Sequence, residues 1–289
     1  MYGLSKSGLR PYAAPCFSLA LLILLTAPLP GAEWVYPLSL AVQDSGTVFL
    51  ADRNLPGIWR LEGEQLHSFF QGSKQFRTPL NAVRCVAVDR DGNLLAGDSA
   101  TRDVYRFDAS GKPQPLTAQG KKFGQIGIPM DIVTDADGNL IVSDLEIHRI
   151  VRVPKNGGNV EEIATINAPR GLFYDSKNQL WVIANRKLVR LSPEGKQETI
   201  VDDGVFQYPH TVVVSTEGTA YVCDGYAKTI WKVVPGQKPV KFASGDPLVN
   251  PVGMDLLGDK ILVVDPRAKA VFEIDKLGKL TRREVKLAE

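Results

Sequence analysis

Residues 131–153 read DIVTDADGNLIVSDLEIHRIVRV, and this stretch holds the pattern that decides the fold. A short apolar strand comes first, a turn containing Gly and Asn follows, and a second apolar strand ends at Asp144. A third strand opens six residues later, at Ile150. Short apolar runs bounded by Asp, Gly and Asn indicate antiparallel strands joined by tight turns.

The same pattern occurs six times along the chain. We call the residue that ends each second strand the anchor, and the anchors are Asp52, Asp98, Asp144, the Ala184-Asn185 pair, Asp224 and Asp265. Successive anchors lie 40 to 46 residues apart, the length of a four-stranded propeller blade. We therefore predict an all-β fold, a six-bladed β-propeller with four antiparallel strands per blade, as one domain over residues 33–289. The sequence leaves the closure of the ring open, and Trp34-Val35-Tyr36 is a candidate to add to the sixth blade.

The repeated segments resemble the NHL family of six-bladed propellers across essentially the whole of this domain. The matching residues are Pro129–Val133, Asp135–Asn139 and Leu140–Asp144 in the third copy, and Pro209–Val214 and Tyr221–Asp224 in the fifth. The resemblance implies the fold more specifically than the function, because NHL and related propellers include enzymes, sensors and scaffolds.

The first 32 residues have the composition of a secretory signal peptide. Lys6 and Arg10 precede an apolar run from Phe17 to Leu25, and small residues and prolines follow up to Ala32. A basic start, a short apolar run and a small-residue end are typical of export signals, and the run is short for a bilayer span. We expect export to the periplasm or the extracellular space, with no membrane span in the mature chain. An uncleaved N-terminal anchor is the alternative.

Charge and cysteine content restrict the partners. Without residues 1–32 the chain keeps 32 basic and 32 acidic residues, so no clustered basic surface of the kind that binds nucleic acid is expected. Cys85 and Cys223 lie in the second and fifth copies, on opposite sides of a six-membered ring. A disulfide needs Cα atoms within ~7 Å, so both thiols are expected to stay free. We expect a monomer without a cofactor.

Antiparallel topology predicts where a site lies. The start of each first strand, the hairpin after each anchor and the loops between blades all lie at one mouth of the central channel, and loops on a rigid scaffold often bind ligands. From these positions we select five candidate ligand-binding residues: Arg84, Asp131, Arg170, His210 and Tyr226. Arg53, Arg186, Arg267 and Asp255 are expected at the same mouth, and Trp59 and Tyr226 are candidate aromatic contacts for a protein partner.

Three enzyme hypotheses come from partial resemblances. Pro209-His210, with Asp224-Gly225-Tyr226, looks like the peptidyl-hydroxyglycine amidating lyases, whose repeated Pro-His pairs hold zinc; here only one copy has the pair. A gluconolactonase-like metal site is the second hypothesis, with Asp131 and Asp255 as carboxylates beside unfavourable arginines. A streptogramin-lyase-like function shares the six-bladed outline but lacks that family's aromatic-rich second strands.

A non-catalytic binding module is the hypothesis that fits the residues best. The arginines of the mouth suit an anionic small molecule, an acidic glycan or a peptide carboxylate, because guanidinium groups bind carboxylates bidentately and stay charged. The same face is also suited to a protein partner. Asp131, on the blade between Arg84 and Arg170, is expected to orient one or both guanidiniums. No catalytic residue and no metal ligand is assigned.

Overall fold

The computed structural model describes residues 1–2, 35–53, 57–73, 75–202 and 204–288. The predicted signal peptide lies outside the described residues apart from Met1 and Tyr2, and Cys16 lies outside them too. The described residues contain strands and turns without any α-helix, so none of them forms a helix able to cross a bilayer.

The first three blades follow one another along the chain. Blade 1 holds β1 (Pro37–Val42), β2 (Val48–Asp52), β3 (Gly57–Glu62) and β4 (Gln65–Gln71). Blade 2 holds β5 (Val83–Val88), β6 (Leu94–Asp98), β7 (Asp103–Phe107) and β8 (Pro113–Pro115). Blade 3 holds β9 (Pro129–Thr134), β10 (Leu140–Asp144), β11 (Arg149–Val153) and β12 (Glu161–Thr165).

The next three blades repeat this order. Blade 4 holds β13 (Pro169–Tyr174), β14 (Leu180–Ala184), β15 (Lys187–Leu191) and β16 (Gln197–Val201). Blade 5 holds β17 (Pro209–Val214), β18 (Ala220–Asp224), β19 (Thr229–Val233) and β20 (Val240–Ser244). Blade 6 holds β21 (Gly253–Leu257), β22 (Lys260–Asp265), β23 (Ala270–Ile274) and β24 (Leu280–Arg282), and β25 (Lys286–Leu287) follows. The prediction of six four-stranded antiparallel blades is confirmed.

The core lies between the blades. The buried side chains form six apolar clusters, and each cluster combines residues of two neighbouring blades. Successive residues of a strand alternate between its two faces, so Leu50 packs towards blade 6 while Phe49 and Ala51 pack towards blade 2. Because blade 6 packs against blade 1 as blade 1 packs against blade 2, the six sheets form a closed ring.

The ring closes through a C-terminal strand. The backbone amides of Val35 and Tyr36 donate to the carboxylate of Asp52, so these residues belong to blade 1 and do not extend blade 6. The C-terminal β25 crosses over instead and pairs in parallel with β4 of blade 1. Strand pairing between the chain ends covers an edge that would otherwise stay open. Val35 and Tyr36 therefore do not add to the sixth blade, and Trp34 lies outside the described residues.

The anchor aspartates tie every blade except blade 4, whose anchor is Ala184-Asn185, to the loop that enters it. Asp98 is fully buried and accepts hydrogen bonds from the amides of Leu80 and Ala82, which precede β5. It also accepts from the amides of Ala100 and Thr101 in the following hairpin. Asp144, Asp224 and Asp265 make corresponding bonds to both segments. Each of these carboxylates therefore holds the hairpin that follows it and the loop that enters its blade.

The two cysteines of the described residues are free and buried, as predicted. Cys85 packs between blades 2 and 3, and Cys223 packs between blades 5 and 6. Burial raises the pKa of both thiols well above the usual value, which keeps them protonated.

Candidate functional site

A cavity of about 350 Å³ opens at the mouth of the channel where the first strands begin. All five residues selected from the sequence line it: Arg84, Asp131, Arg170, His210 and Tyr226. Arg53 and Arg267 line it as well, from the hairpins after the anchors of blades 1 and 6. The structure therefore brings the predicted residues together, while their role in binding a ligand stays a prediction.

Residues on either side of the strand-start prolines form most of the remaining wall. Those before the prolines are Tyr36, Ile128, Tyr208 and Asn250, and those after them include Leu38, Met130 and Val252. Sequence reasoning selected Arg170 and His210 from these positions but missed the residues before the prolines. The repeated X-Pro-X spacing was the signal that identifies them, because each proline occupies the same place at the edge of its blade.

Arg84 and Arg170 line the cavity, and most of their donor groups have no hydrogen-bond partner among the described residues. The Nε of Arg84 donates to the Ser99 hydroxyl at 3.1 Å, and this is its one hydrogen bond among the described residues. Burial and the nearby Arg53 guanidinium lower the pKa of Arg84. One Nη of Arg170 lies 3.5 Å from the carbonyl oxygen of Asn185, which is a long contact for a hydrogen bond. Both side chains are partly buried, and both keep donors available for an anion.

Aromatic rings hold Arg170 in place. Its guanidinium carbon lies 4.4 Å from the centroid of the Tyr208 ring, a cation–π distance. The Tyr208 ring stacks on Tyr226 with centroids 4.7 Å apart, and it meets the edge of His210 at the same distance. Tyr226 is 62% exposed and forms the outer end of the stack. The stack fixes a planar cation at the wall while its polar edge stays accessible.

His210 is neutral at ordinary pH. Burial, and after it the Arg170 guanidinium, lower the pKa of its imidazole to about 4. A neutral imidazole offers one nitrogen donor and one nitrogen acceptor. His210 can therefore accept a hydrogen bond from a bound molecule as well as donate one to it.

Asp131 does not orient the arginines. One carboxylate oxygen accepts from the Ile132 amide and the other from the Leu172 amide, both at 2.9 Å or less, so the side chain clasps blade 3 to blade 4. Among the described residues no hydrogen bond or ion pair joins it to Arg84 or Arg170. Burial raises the pKa of Asp131 to about 7, and the carboxylate of Asp255 adds to the shift. The expected orienting role is corrected to a structural one.

Three other expectations about the mouth are also wrong. Arg186 does not line the cavity, because its Nε donates to the Phe206 carbonyl oxygen. Trp59 is buried in the core and donates to Asp52, so it is no surface anchor. Asp255 lies two residues deeper along its strand than the entry position and lines the opposite end of the channel. There it accepts from the amides of Val42 and Leu256.

The described residues do not fit a metal site of the kind that lyase or lactonase resemblances imply. No three His, Cys, Asp or Glu side chains converge among them. His148 accepts a hydrogen bond from the Ala168 amide in an exposed hairpin, and His67 lies on β4, the outer strand of blade 1. Asp131 and Asp255 use their oxygens on backbone amides. We therefore derive no catalytic step through a metal.

Comparison with known proteins supports the fold. No protein-family model and no curated protein matches the chain. Among solved structures, a virginiamycin B lyase from Staphylococcus aureus superposes with a TM-score of 0.67 at 15% identity, over 89% of this chain and 86% of that one. A gluconolactonase from Xanthomonas campestris gives 0.68 at 14% identity, over 87% and 88%. A chain of a nidogen/laminin complex gives 0.63 at 20% identity, over 76% and 84%. At these identities the likeness shows that the chain is a six-bladed β-propeller.

Proposed function

We propose that the chain binds an anionic small molecule, through a carboxylate or a similar group, in the mouth cavity. The observation that carries the proposal is the imbalance of charge among the described lining residues. Arg53, Arg84, Arg170 and Arg267 contribute guanidiniums, and Asp131 contributes the one carboxylate. Both oxygens of that carboxylate are already bonded to backbone amides. An incoming carboxylate would supply the missing acceptors and form charge-assisted hydrogen bonds.

The rest of the wall favours an anion with an apolar body. Leu38, Met130, Val252 and Met254 also line the cavity, and the Tyr208–Tyr226 stack adds an aromatic edge. Sites of this kind are mostly apolar, and a few placed polar groups fix the orientation of the ligand. A fully hydrated anion such as inorganic phosphate would leave the apolar wall without a partner. We therefore expect an alkyl or aryl carboxylate to bind more tightly than phosphate.

Calorimetry with a matched pair of probes tests the proposal. The charged probe is 3-phenylpropionate, and 3-phenylpropanamide has nearly the same shape without the charge. We expect binding of the carboxylate only, weakened about 10- to 150-fold by each lost charge-assisted hydrogen bond in Arg84→Ala and Arg170→Ala. Arg90→Ala, an exposed arginine in a turn at the other end of blade 2, is the control. Equal binding of the two probes contradicts the proposal. So does unchanged binding of 3-phenylpropionate by the Arg84→Ala, Arg170→Ala double variant.

A second candidate is an elimination reaction with His210 as the base. Its neutral imidazole lies against Tyr208 in the cavity, where a guanidinium would stabilise developing negative charge on the substrate. The virginiamycin B lyase neighbour agrees in outline, since a histidine-to-alanine variant of that lyase is described as catalytically inactive and was solved with quinupristin. We rank this candidate second because only the fold is shared and because an imidazole with a pKa of about 4 is a weak base at neutral pH.

Chromatography separates the two candidates. If this chain is a lyase, quinupristin is consumed by the wild type and survives with the His210→Ala variant. If it is a binding module, quinupristin survives with both proteins while 3-phenylpropionate still binds. The second result is the one that we expect.

Two further proposals concern the setting of this site. We infer that the blades are NHL repeats, supported by the matching segments of blades 3 and 5. We also infer that the chain is exported as a monomer after loss of a signal peptide over residues 1–32, supported by Lys6, Arg10 and the apolar run that follows them. Amino-terminal sequencing of the exported protein tests the cleavage, with a new terminus near residue 33 expected.

A further inference from the structure

Two loops between blades carry a patch of aromatic and basic side chains outside the mouth cavity. The patch consists of Phe76, Arg77, Lys121, Lys122 and Phe123 and is called the loop patch below. The guanidinium carbon of Arg77 lies 4.9 Å from the ring centroid of Phe76 and 5.0 Å from that of Phe123, so it joins the loop before blade 2 to the loop before blade 3. The Lys122 ammonium lies 5.7 Å from the Phe123 centroid.

Charge is segregated in these loops. Residues 71–82 and 119–128 contain Lys74, Arg77, Lys121 and Lys122 and no Asp or Glu, although the chain as a whole has 34 basic and 32 acidic residues. Glu146, in the hairpin beside the second loop, is already paired with Arg102. The cations of the loop patch therefore have little negative charge close to them, which suits an anionic surface.

An exposed phenyl ring lies among these cations. Phe76 is 76% exposed, and among the described residues its ring contact is with the Arg77 guanidinium. Large apolar side chains at a surface are informative when they cluster with other features. The Phe76 ring lies on the loop between blades 1 and 2, so it can insert into an apolar environment without any movement of the blades.

We propose that the loop patch docks the propeller on an anionic lipid surface, with Phe76 inserted at the headgroup level and the cations on the headgroups. A soluble polyanion would neutralise Arg77, Lys121 and Lys122 but would leave the Phe76 ring in water. An anionic bilayer accommodates both the cations and the phenyl ring. Aromatic rings favour the membrane interface, and each basic residue close to an anionic surface strengthens binding about fivefold. The loop patch lies on the same face of the ring as the mouth, so docking presents the mouth cavity towards the membrane.

The test uses the full chain and reads out single positions, so that binding through the N-terminal segment does not obscure the result. Phe76→Trp places a reporter in the loop patch, and Leu277→Trp places one at an exposed apolar site on the opposite face, where Leu277 is 91% exposed. The vesicles contain phosphatidylcholine and phosphatidylglycerol at about 7:3 with brominated acyl chains, which quench an inserted tryptophan. Spectra of the wild type, which has its own tryptophans, are subtracted. Pure phosphatidylcholine vesicles are the control for charge.

Insertion of the loop patch gives quenching at position 76 that is at least about threefold stronger than at position 277, and only with the anionic vesicles. Lys121→Glu combined with Lys122→Glu is expected to raise the lipid concentration for half-maximal quenching at least about tenfold. The matched pair Lys177→Glu and Lys196→Glu, on turns of the opposite face, leaves it unchanged. Equal quenching at both positions, or quenching at neither, overturns the proposal. Binding to heparin without any quenching also overturns it and indicates a soluble polyanion instead.

Discussion

The anchor aspartates and the mouth arginines are both charged groups on the same face of the ring, but they differ in burial and in the number of their hydrogen-bond partners. Asp98 is fully buried, and its oxygens accept hydrogen bonds from four backbone amides and from the Thr101 hydroxyl. Arg84 and Arg170 are only partly buried, and each makes one hydrogen bond among the described residues. A buried charge with all its partners specifies the fold, whereas a cavity charge with vacant donors is available to a ligand.

Loss of an anchor should produce the largest effect on stability. Asp98→Ala leaves the amides of Leu80, Ala82 and Ala100 without acceptors inside the protein. Each unsatisfied buried donor costs about 1–3 kcal/mol, so the free energy of unfolding should fall by roughly 3–5 kcal/mol. Urea denaturation followed by circular dichroism measures it. Asp137→Ala, at an exposed turn on the opposite face, is the control and should change stability by less than about 0.5 kcal/mol. An equally small effect at Asp98 contradicts the proposed division of roles.

Added bulk where two blades meet should come next. A Cβ at Gly171 would lie 2.6 Å from the Thr211 Cα and 2.7 Å from the His210 carbonyl oxygen. These are backbone atoms, so β13 and β17 must separate, at a cost of roughly 1–3 kcal/mol. The shift also moves His210, so weaker binding of 3-phenylpropionate should accompany the loss of stability. A Gly171→Ala variant that keeps both the wild-type midpoint in urea and the wild-type affinity rules out this close approach.

The buried carboxyl of Asp131 predicts a pH dependence. Its pKa in the folded protein is raised to about 7, above the ~3.9 of an unfolded chain. The folded state therefore binds this proton more tightly, and stability falls as pH rises from about 4 to 7. Asp131→Asn removes the titration and should flatten that fall by on the order of 1–3 kcal/mol. Urea midpoints measured at several pH values between 4 and 8 test it.

His210 and Asp255 titrate in pH ranges that overlap with that of Asp131, so their contributions to the pH dependence of stability must be separated from its own. The pKa of His210 is lowered to about 4, so its contribution to stability is lost as pH falls from about 6.5 to 4, opposite in sign to that of Asp131. Burial raises the pKa of Asp255 to about 6, so its contribution has the same sign as that of Asp131. We therefore compare the His210→Gln variant with the Asp131→Asn, His210→Gln double variant, so that the two proteins differ only at Asp131. An unchanged slope between pH 6.5 and 7 contradicts the raised pKa of Asp131.

Removal of the mouth arginines should have the smallest effect on stability. Partly exposed charges with few partners contribute about 0–1 kcal/mol, so Arg84→Ala and Arg170→Ala should unfold within about 1 kcal/mol of the wild type. Removing Arg170 also removes its contact with Tyr208, so its effect should be the larger of the two. Thermal unfolding measures both. A loss of 3 kcal/mol or more would place the arginines with the anchors, as parts of the fold.

Most of the fold could be predicted because a repeated pattern supplies six independent observations of one blade. The third strand of the third copy begins at Arg149, one residue before the predicted Ile150. The fourth strands were less regular: β8 spans only Pro113–Pro115, because the Asp103 carboxylate takes the amides of Thr117 and Ala118. Ring closure by β25 occurs once in the chain, so no repeat could reveal it.

The candidate site could be located from the sequence but its internal contacts could not. Antiparallel topology alone brings Arg84, Arg170 and His210 to one mouth. The direction of each carboxylate depends on the backbone amides of the neighbouring blade. Asp131 accepts a hydrogen bond from the Leu172 amide and none from an arginine among the described residues. Tyr208 was not predicted as a site residue because it precedes a proline in a loop. Its contact with Arg170 depends on the packing of blades 4 and 5.

The central claim is that the vacant guanidinium donors of the mouth bind an anion, and a crystal soaked with 4-bromobenzoate tests it most directly. The anomalous signal of bromine locates the ligand independently of the protein phases. We predict one bromine peak in the mouth cavity, with carboxylate oxygens ~2.7–2.9 Å from guanidinium nitrogens of Arg84 or Arg170. A cavity without a bromine peak at millimolar ligand, or a carboxylate bound away from both arginines, would contradict the account.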